Sequence, residues 1–316
     1  MSATYKIYDI LVRLPKELEL GLEDVGFGQA DVSLMPKDVI DLNLSFHEDD
    51  IHWYHNWIAQ NDTAWLSSGI TKSNYYILRF SDIDFFISPS GTEIFYDESR
   101  NISKSEIIHK FFNQILPMTM NYLDKEVIHA SSILVSGEAI AFVGNGGYGK
   151  STIAASLIKE GNKLISDDAV PLILNHNKIY TASGLNTINL WPHAQKILNR
   201  TKKDSVHSKS YVVLSKEEYS MGTFPLKKIY FLKPSQDIKE ISVNKLSKQE
   251  AAMELVRAAH RLDITNKQML QNQLTILTKI SGLLSCDMLS FPANIPEPKL
   301  ISSFILSDLR NPIYAV

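Results

Sequence analysis

The spacing of apolar and polar positions changes character about two-fifths of the way along this 316-residue chain. In the first hundred residues, short apolar runs such as NYYILRF (74–80) and DFFISPS (84–90) end at turn signals. The break at Pro89-Ser90-Gly91, followed by EIFYD (93–97), predicts a hairpin or meander. Residues 104–123 then take helical spacing, with Ile107, Phe111, Ile115 and Met118 on one face. Ser103 or Ser105 caps the start of this predicted helix, and Pro117 bends or divides it.

After the helix the texture becomes that of alternating strands and helices. SSILVSG (131–137) and AIAFVG (139–144) read as strands that lead into a glycine-rich loop. An amphipathic helix of about eleven residues comes next, closed by Gly161, and then an apolar strand, KLISDDAV. VPLILN, KIYTA, YVVLS and KIYFL are further predicted strands, residues 247–284 are mostly helical, and a last helix is expected near 298–309. This pattern predicts a β-rich N-terminal domain over residues 1–125, ending in a helix, and an α/β catalytic domain with a mixed sheet over residues 126–316.

Composition narrows the classes of function. A formal charge of −3 without a dominant basic stripe gives no reason to expect a nucleic-acid partner. One cysteine, Cys286, excludes an internal disulfide. The N-terminus mixes charges among its apolar residues, and no stretch reaches the length of a membrane span, so the expectation is a cytoplasmic protein without a membrane partner. A homo-oligomer is compatible with the sequence.

The chemical signal is Gly144-Asn145-Gly146-Gly147-Tyr148-Gly149-Lys150-Ser151, continued by Thr152, which fits the pattern G-x-x-x-x-G-K-[ST]. Glycines permit positive φ, so successive backbone N–H groups can converge on an anion. A helix starting near Lys150 adds the positive end of its dipole. Lys150 would bridge the β- and γ-phosphates of a nucleoside triphosphate such as ATP, and the Ser151 hydroxyl would ligate Mg²⁺. A buried strand before the motif and a glycine-closed helix after it set it apart from a bare glycine-rich turn.

Asp167 and Asp168 form a second signal at the end of the strand after the P-loop helix. Two adjacent carboxylates beside a buried strand repel one another, and Mg²⁺ would neutralise them. Side chains alternate along a strand, so the pair is expected to diverge, one carboxylate toward the metal and the other toward an acceptor hydroxyl.

With His129 upstream, the stretch IHASSILVSGEAIAFVGNGGYGKSTIAASLIKEGNKLISDDAV resembles the catalytic core of the HPr kinase/phosphorylase family, which is related to the ATP-dependent phosphoenolpyruvate carboxykinases. NLWPHA (189–194) and LLSCDMLSFPANIP (283–296) resemble HPr-kinase-like proteins of peptide-modification clusters, including lasso-peptide tailoring kinases. The resemblance implies that Asp168 accepts the proton of the substrate hydroxyl, that Asp167 lies toward the metal, and that His129 orients or assists the catalytic aspartate. It implies ATP and Mg²⁺ as cofactors and a serine of a peptide or small protein as acceptor. The chain departs from the family at ASGLNTINLWPHA, which lacks the glutamate and arginine of the family's signature loop, and this sets HPr itself and the reverse reaction in doubt.

Other features carry blander readings. Arg257, His260 and Arg261 fall on one helical face of LVRAAHRLD and read as a solvated basic face, with a phosphate or acidic-peptide contact as the alternative. HWYHNW (52–57) reads as core packing of the N-terminal domain, and NRTKKDSVHSKSY (199–211) as a surface loop or a lid. Two other functions compete with a peptide kinase: phosphorylation of a small metabolite such as free serine, and nucleotide binding by a regulator with little catalysis.

Overall fold

A computed structural model describes residues 2–26, 28–39, 48–58, 64–97, 102–200, 209–294 and 297–310. The chain divides into two compact units, Met1–Asp124 with Arg261–Asn266, and Lys125–His260 with Lys267–Val316. The architecture is mixed α/β.

The first unit holds an eight-stranded sheet built from β1 (Ser2–Ile7), β2 (Ile10–Pro15), β3 (Val32–Pro36), β4 (Ile51–Ile58), β5 (Ala64–Thr71), β6 (Tyr76–Phe80), β7 (Asp84–Ile87) and β8 (Glu93–Tyr96). Their order is β1-β2-β3-β8-β7-β6-β5-β4. β6, β7 and β8 form the expected antiparallel meander, with Leu78 opposite Phe85 and Phe86 opposite Phe95. HWYHNW is not core. It lies on β4, the last strand of the sheet among the described residues, and its side chains are half-buried or exposed. Segment 261–266 belongs to this unit through Tyr54, whose hydroxyl donates to Leu262 O, and Tyr76, whose hydroxyl donates to Asp263.

The predicted helix at 104–123 starts at Ser103, which forms a capping box with Glu106, but it is not one regular helix. α1 (Lys104–Lys110) passes into a π turn at Phe111–Ile115, then α2 (Leu116–Thr119) and a 3-10 turn. Pro117 has no N–H and its ring would strike the carbonyl of Asn113 in a regular helix. The wider turn, in which the Leu116 N–H reaches Phe111 O, accommodates it. The extra residue rotates the next turn of the helix, so Met118 is only partly buried while Leu116 and Met120 are fully buried.

The second unit is built on a nine-stranded mixed sheet. Its strands are β9 (Glu126–Ile128), β10 (Ala130–Val135), β11 (Glu138–Val143), β12 (Lys163–Ser166), β13 (Val170–Asn175) and β14 (Lys178–Ala182), then, after a separate pair β15 (Thr187–Leu190) and β16 (Ser210–Val213), β17 (Thr223–Ser235), β18 (Ser242–Lys245) and β19 (Ser285–Pro292). β11, β17 and β19 are parallel neighbours, with Val143 opposite Phe231 and Phe231 opposite Met288. Strand alternation sends Ile140, Phe142, Tyr230 and Leu232 to one face, where they pack with α3 (Lys150–Lys159) and α7 (Pro298–Arg310). Ala139, Ala141, Val143, Ile229 and Phe231 face the other way, onto α5 (Lys248–Ala258) and α6 (Lys267–Leu283). The remaining helix, α4 (Pro192–Gln195), comes directly after β15.

α3 is not amphipathic as expected. Six consecutive residues, Ile153–Ile158, are buried, because the sheet lies on one side and α7 on another, where Ser156 meets Ser302 at 2.9 Å. It ends in a Schellman motif at Gly161 (φ +90°), with Asn162 N–H donating to Leu157 O at 3.1 Å and Gly161 N–H to Ile158 O at 2.9 Å. Arg257, His260 and Arg261 do not share a helical face. α5 stops at Ala258, since His260 N–H donates to Val127 O and Ala259 bridges Ile128, drawing the chain onto β9.

Candidate nucleotide and phosphotransfer site

The site forms where the parallel strands end at their carboxyl side, the place where open α/β sheets bind ligands. β11 delivers the chain into Gly144, which is packed so closely that a Cβ there would lie 3.2 Å from Leu232 Cβ and Tyr148 Cβ. Gly147 and Gly149 have φ of +87° and +92°. Gly149 is the N-cap of α3 and offers no side-chain cap, so the first N–H groups of the helix are left for a ligand. Gly146 differs: its φ is not left-handed and a Cβ on it meets nothing within 4 Å. The Lys150 ammonium donates to Gly144 O at 2.7 Å, and burial pushes its pKa down.

Asp167 and Asp168 lie in a bend just beyond β12, not on the strand. The two carboxylates have different neighbours, and Asp168 has φ +66°, a left-handed backbone outside strand geometry. Asp167 is buried among donors: Ser131 Oγ at 2.5 Å and Ser151 Oγ at 3.1 Å reach Oδ1, and Asn189 N–H reaches Oδ2 at 3.0 Å. Burial first and the neighbouring charge of Asp168 second raise the Asp167 pKa, against those hydrogen bonds. Burial also raises the Asp168 pKa, but Lys209, Lys150 and the Asn189 side-chain amide favour its ionised form.

His129 is bound to the backbone of Asp168. Its Nδ1 lies 2.9 Å from Asp168 O, and a carbonyl only accepts, so Nδ1 carries the proton. Burial, reinforced by Lys150, lowers the His129 pKa to about 4. The ring is therefore neutral near pH 7, and Nε2 is an unprotonated acceptor.

Two cavities flank the loop. A cleft of about 630 Å³ is lined by Gly144, Asn145 and Tyr148 on the loop and by Phe231, Arg257 and Met288 opposite. A smaller one of about 210 Å³ holds Lys150, Ser151, Thr152, Asp168, Asn189 and Lys209, with Trp191 and His193 at the same wall. His129 and Gly146 line both. All the residues predicted from sequence thus meet at one loop, with Asp167 buried behind Ser151. Sequence reasoning missed Ser131, Asn189 and Lys209. Ser131 stands two positions after His129, and Asn189 lies in the segment noticed only for what it lacks.

No family model matches the chain. Stretches of it align with curated HPr kinase/phosphorylases: that of Mycoplasmopsis pulmonis at 35% identity, covering 40% of this chain and 37% of the relative. The enzyme of Clostridium kluyveri is 35% identical over 26% of this chain and 28% of its own length. That of Thermoanaerobacter sp. is 38% identical over 20% and 21%. Over these stretches the chain is related to the HPr kinase/phosphorylases. It spans only about a fifth to two-fifths of the length of these relatives. The Hpr(Ser) kinase/phosphatase structure from Coxiella burnetii covers 58% of this chain and 95% of its own, with a TM-score of 0.36 and 12% identity, too distant to inform the site. No helix among the described residues is long and apolar enough to cross a membrane.

Proposed function

We propose that this protein transfers the γ-phosphoryl group of ATP, with Mg²⁺, to a hydroxyl group, and that the acceptor is a serine of a peptide or small protein. The observation that carries this reading is the different surroundings of the two aspartates. Asp167 is hydrogen-bonded to the P-loop hydroxyl of Ser151, while Asp168 turns toward Lys150 and Lys209 in a cavity of side-chain size.

In this reading the backbone N–H groups of the loop and of the first turn of α3 hold the phosphates, and Lys150 leaves Gly144 O to meet them. Asp168 receives the proton of the attacking hydroxyl. His129 acts through the backbone carbonyl of Asp168, keeping the left-handed turn that aims its carboxylate. Two lysines already facing two aspartates cannot offset a triphosphate as well. The buried carbonyl oxygen of Asn189, which has no hydrogen-bond partner among the described residues, and the crowded carboxylates fit a hard divalent cation. Ser151 and Asp167 are the residues that would hold Mg²⁺, which when bound neutralises charge on the β- and γ-phosphates.

Within the class of peptide acceptors, a lasso-peptide precursor is the leading candidate on sequence resemblance. HPr, the substrate in the relatives' name, is disfavoured because segment 182–194 has neither glutamate nor arginine. Incubation with γ-labelled ATP, Mg²⁺ and a panel of serine peptides, HPr and free serine tests the reading: label should appear on peptide serine. Label on free serine alone would replace the peptide by a metabolite, and tight ATP binding without transfer to any acceptor would favour a regulator.

A further inference from the structure

The segment that lacks the glutamate of the related kinases nonetheless faces the aspartate pair with one residue, Asn189. It lies on β15, whose partner strand is β16, with Leu190 opposite Ser210 and Asn189 opposite Tyr211. From there Asn189 makes two separate contacts with the pair. Its backbone N–H donates to Asp167 Oδ2 at 3.0 Å, and its side-chain amide favours the ionised form of Asp168.

The side-chain carbonyl oxygen of Asn189, Oδ1, is buried and has no hydrogen-bond partner among the described residues. Leaving a buried amide oxygen unpaired is costly, so such an atom calls for a ligand. Asn189 lines the same 210 Å³ cavity as Ser151 and Asp168. A bare, hard, neutral oxygen beside two carboxylates and a hydroxyl is the donor chemistry of Mg²⁺ or Mn²⁺.

We propose that Asn189 Oδ1 is a direct ligand of the divalent cation that accompanies the nucleotide, completing with Ser151 and Asp167 a metal site in which one protein ligand is a neutral amide rather than a carboxylate. The proposal rests on the phosphotransfer reading above and deepens it. A neutral ligand leaves the site with one negative charge fewer, so the metal is held more by the nucleotide phosphates and less by the protein. Metal binding without nucleotide is accordingly weak.

The test is Mn²⁺ binding, followed by the loss of the free-ion resonance, on the full chain with and without ADP. Asn189→Leu keeps the branched shape and removes the oxygen; Asn189→Asp keeps an oxygen and adds charge. The proposal expects Asn189→Leu to weaken Mn²⁺ binding in the presence of ADP by about 10- to 100-fold, with metal-free ADP affinity unchanged. Asn189→Asp should bind Mn²⁺ at least as tightly as wild type, including without ADP. It should also melt lower than wild type without metal, because a third carboxylate joins the pair, and gain more from Mn²⁺ than wild type gains. Should Asn189→Leu fail to fold, the melting response of Asn189→Asp decides alone, and an unchanged metal increment contradicts the proposal. Equal Mn²⁺ binding by wild type and Asn189→Leu overturns it while leaving the kinase reading in place, as does a loss of ADP affinity that is the same with and without metal. Failure of the wild type to bind Mn²⁺ with ADP overturns both.

Discussion

The Ser151 hydroxyl donates to Asp167 Oδ1 at 3.1 Å, joining the first turn of the P-loop helix to the bend that ends the next strand. Ser131, from β10, donates to the same oxygen at 2.5 Å, so three segments distant in sequence converge on one carboxylate. Ser131 is fully buried and its hydroxyl has no water to fall back on. Ser131→Ala is expected to destabilise the second unit by about 1–3 kcal/mol and to raise the Mg²⁺ concentration needed for half-maximal activity. Urea unfolding and a Mg²⁺ titration of turnover check the two effects; unchanged values in both would remove Ser131 from the site.

The loop glycines separate folding from binding. At Gly147 and Gly149 the left-handed backbone makes an alanine strained by about 1–2 kcal/mol whatever the space around it. At Gly146 an alanine is neither strained nor crowded. Gly146→Ala is therefore expected to melt like wild type but to bind ATP at least about tenfold more weakly, because the added methyl stands where phosphate approaches. Calorimetry on a variant of proven wild-type melting temperature reads this directly, and unaltered ATP affinity would place the phosphates elsewhere.

His129 is held neutral by burial down to about pH 4, from an ordinary value of 6.5. Its protonation therefore contributes no limb to the activity profile between pH 5 and 8. His129→Phe removes the donor to Asp168 O and is expected to lower kcat about 10- to 100-fold with little change in ATP affinity, and His129→Gln to recover part of the loss. A wild-type limb near pH 6.5 that disappears in His129→Gln would mean that the imidazole titrates during turnover.

In the first unit, burial lowers the His109 pKa from 6.5 to about 4. The folded state disfavours the proton that the unfolded chain accepts. The stability is fully present above about pH 6.5, is lost progressively below it, and the loss levels off below about pH 4. The span corresponds to something on the order of 3 kcal/mol. Urea unfolding at pH 7, 5.5 and 4.5 should show this slope, and His109→Gln should flatten it.

The features legible in the sequence were those that are local in it. The cradle needs glycines, lysine and serine in one short run between a strand and a helix, and the chain writes them consecutively from Gly144 to Thr152. The aspartate pair was visible for the same reason, but its backbone was not, because nothing in the letters announces φ +66° at Asp168. Ser131 and Asn189 reach Asp167 only through the pairing of β10 with β12 and the placing of β15, which are long-range events. The helical pattern at 104–123 was right in kind. Its period failed at the π turn before Pro117, where avoiding a steric clash outweighs the repeat of apolar residues. The basic face expected around Arg257 dissolved for a similar reason, since strand pairing of residues 259–260 overrides helical continuation.

In the proposed reaction Asp168 is the base of a phosphoryl transfer from ATP to a hydroxyl. Single-turnover transfer of label from γ-labelled ATP to a serine peptide, measured for wild type and Asp168→Asn alongside ATP affinity, tests it most directly. The account predicts label on serine with wild type, a loss of about 10²- to 10⁴-fold in Asp168→Asn, and ATP affinity that stays within a few-fold. Near-normal transfer by Asp168→Asn, or no transfer to any hydroxyl by a wild type that binds Mg²⁺ and ATP, would contradict it.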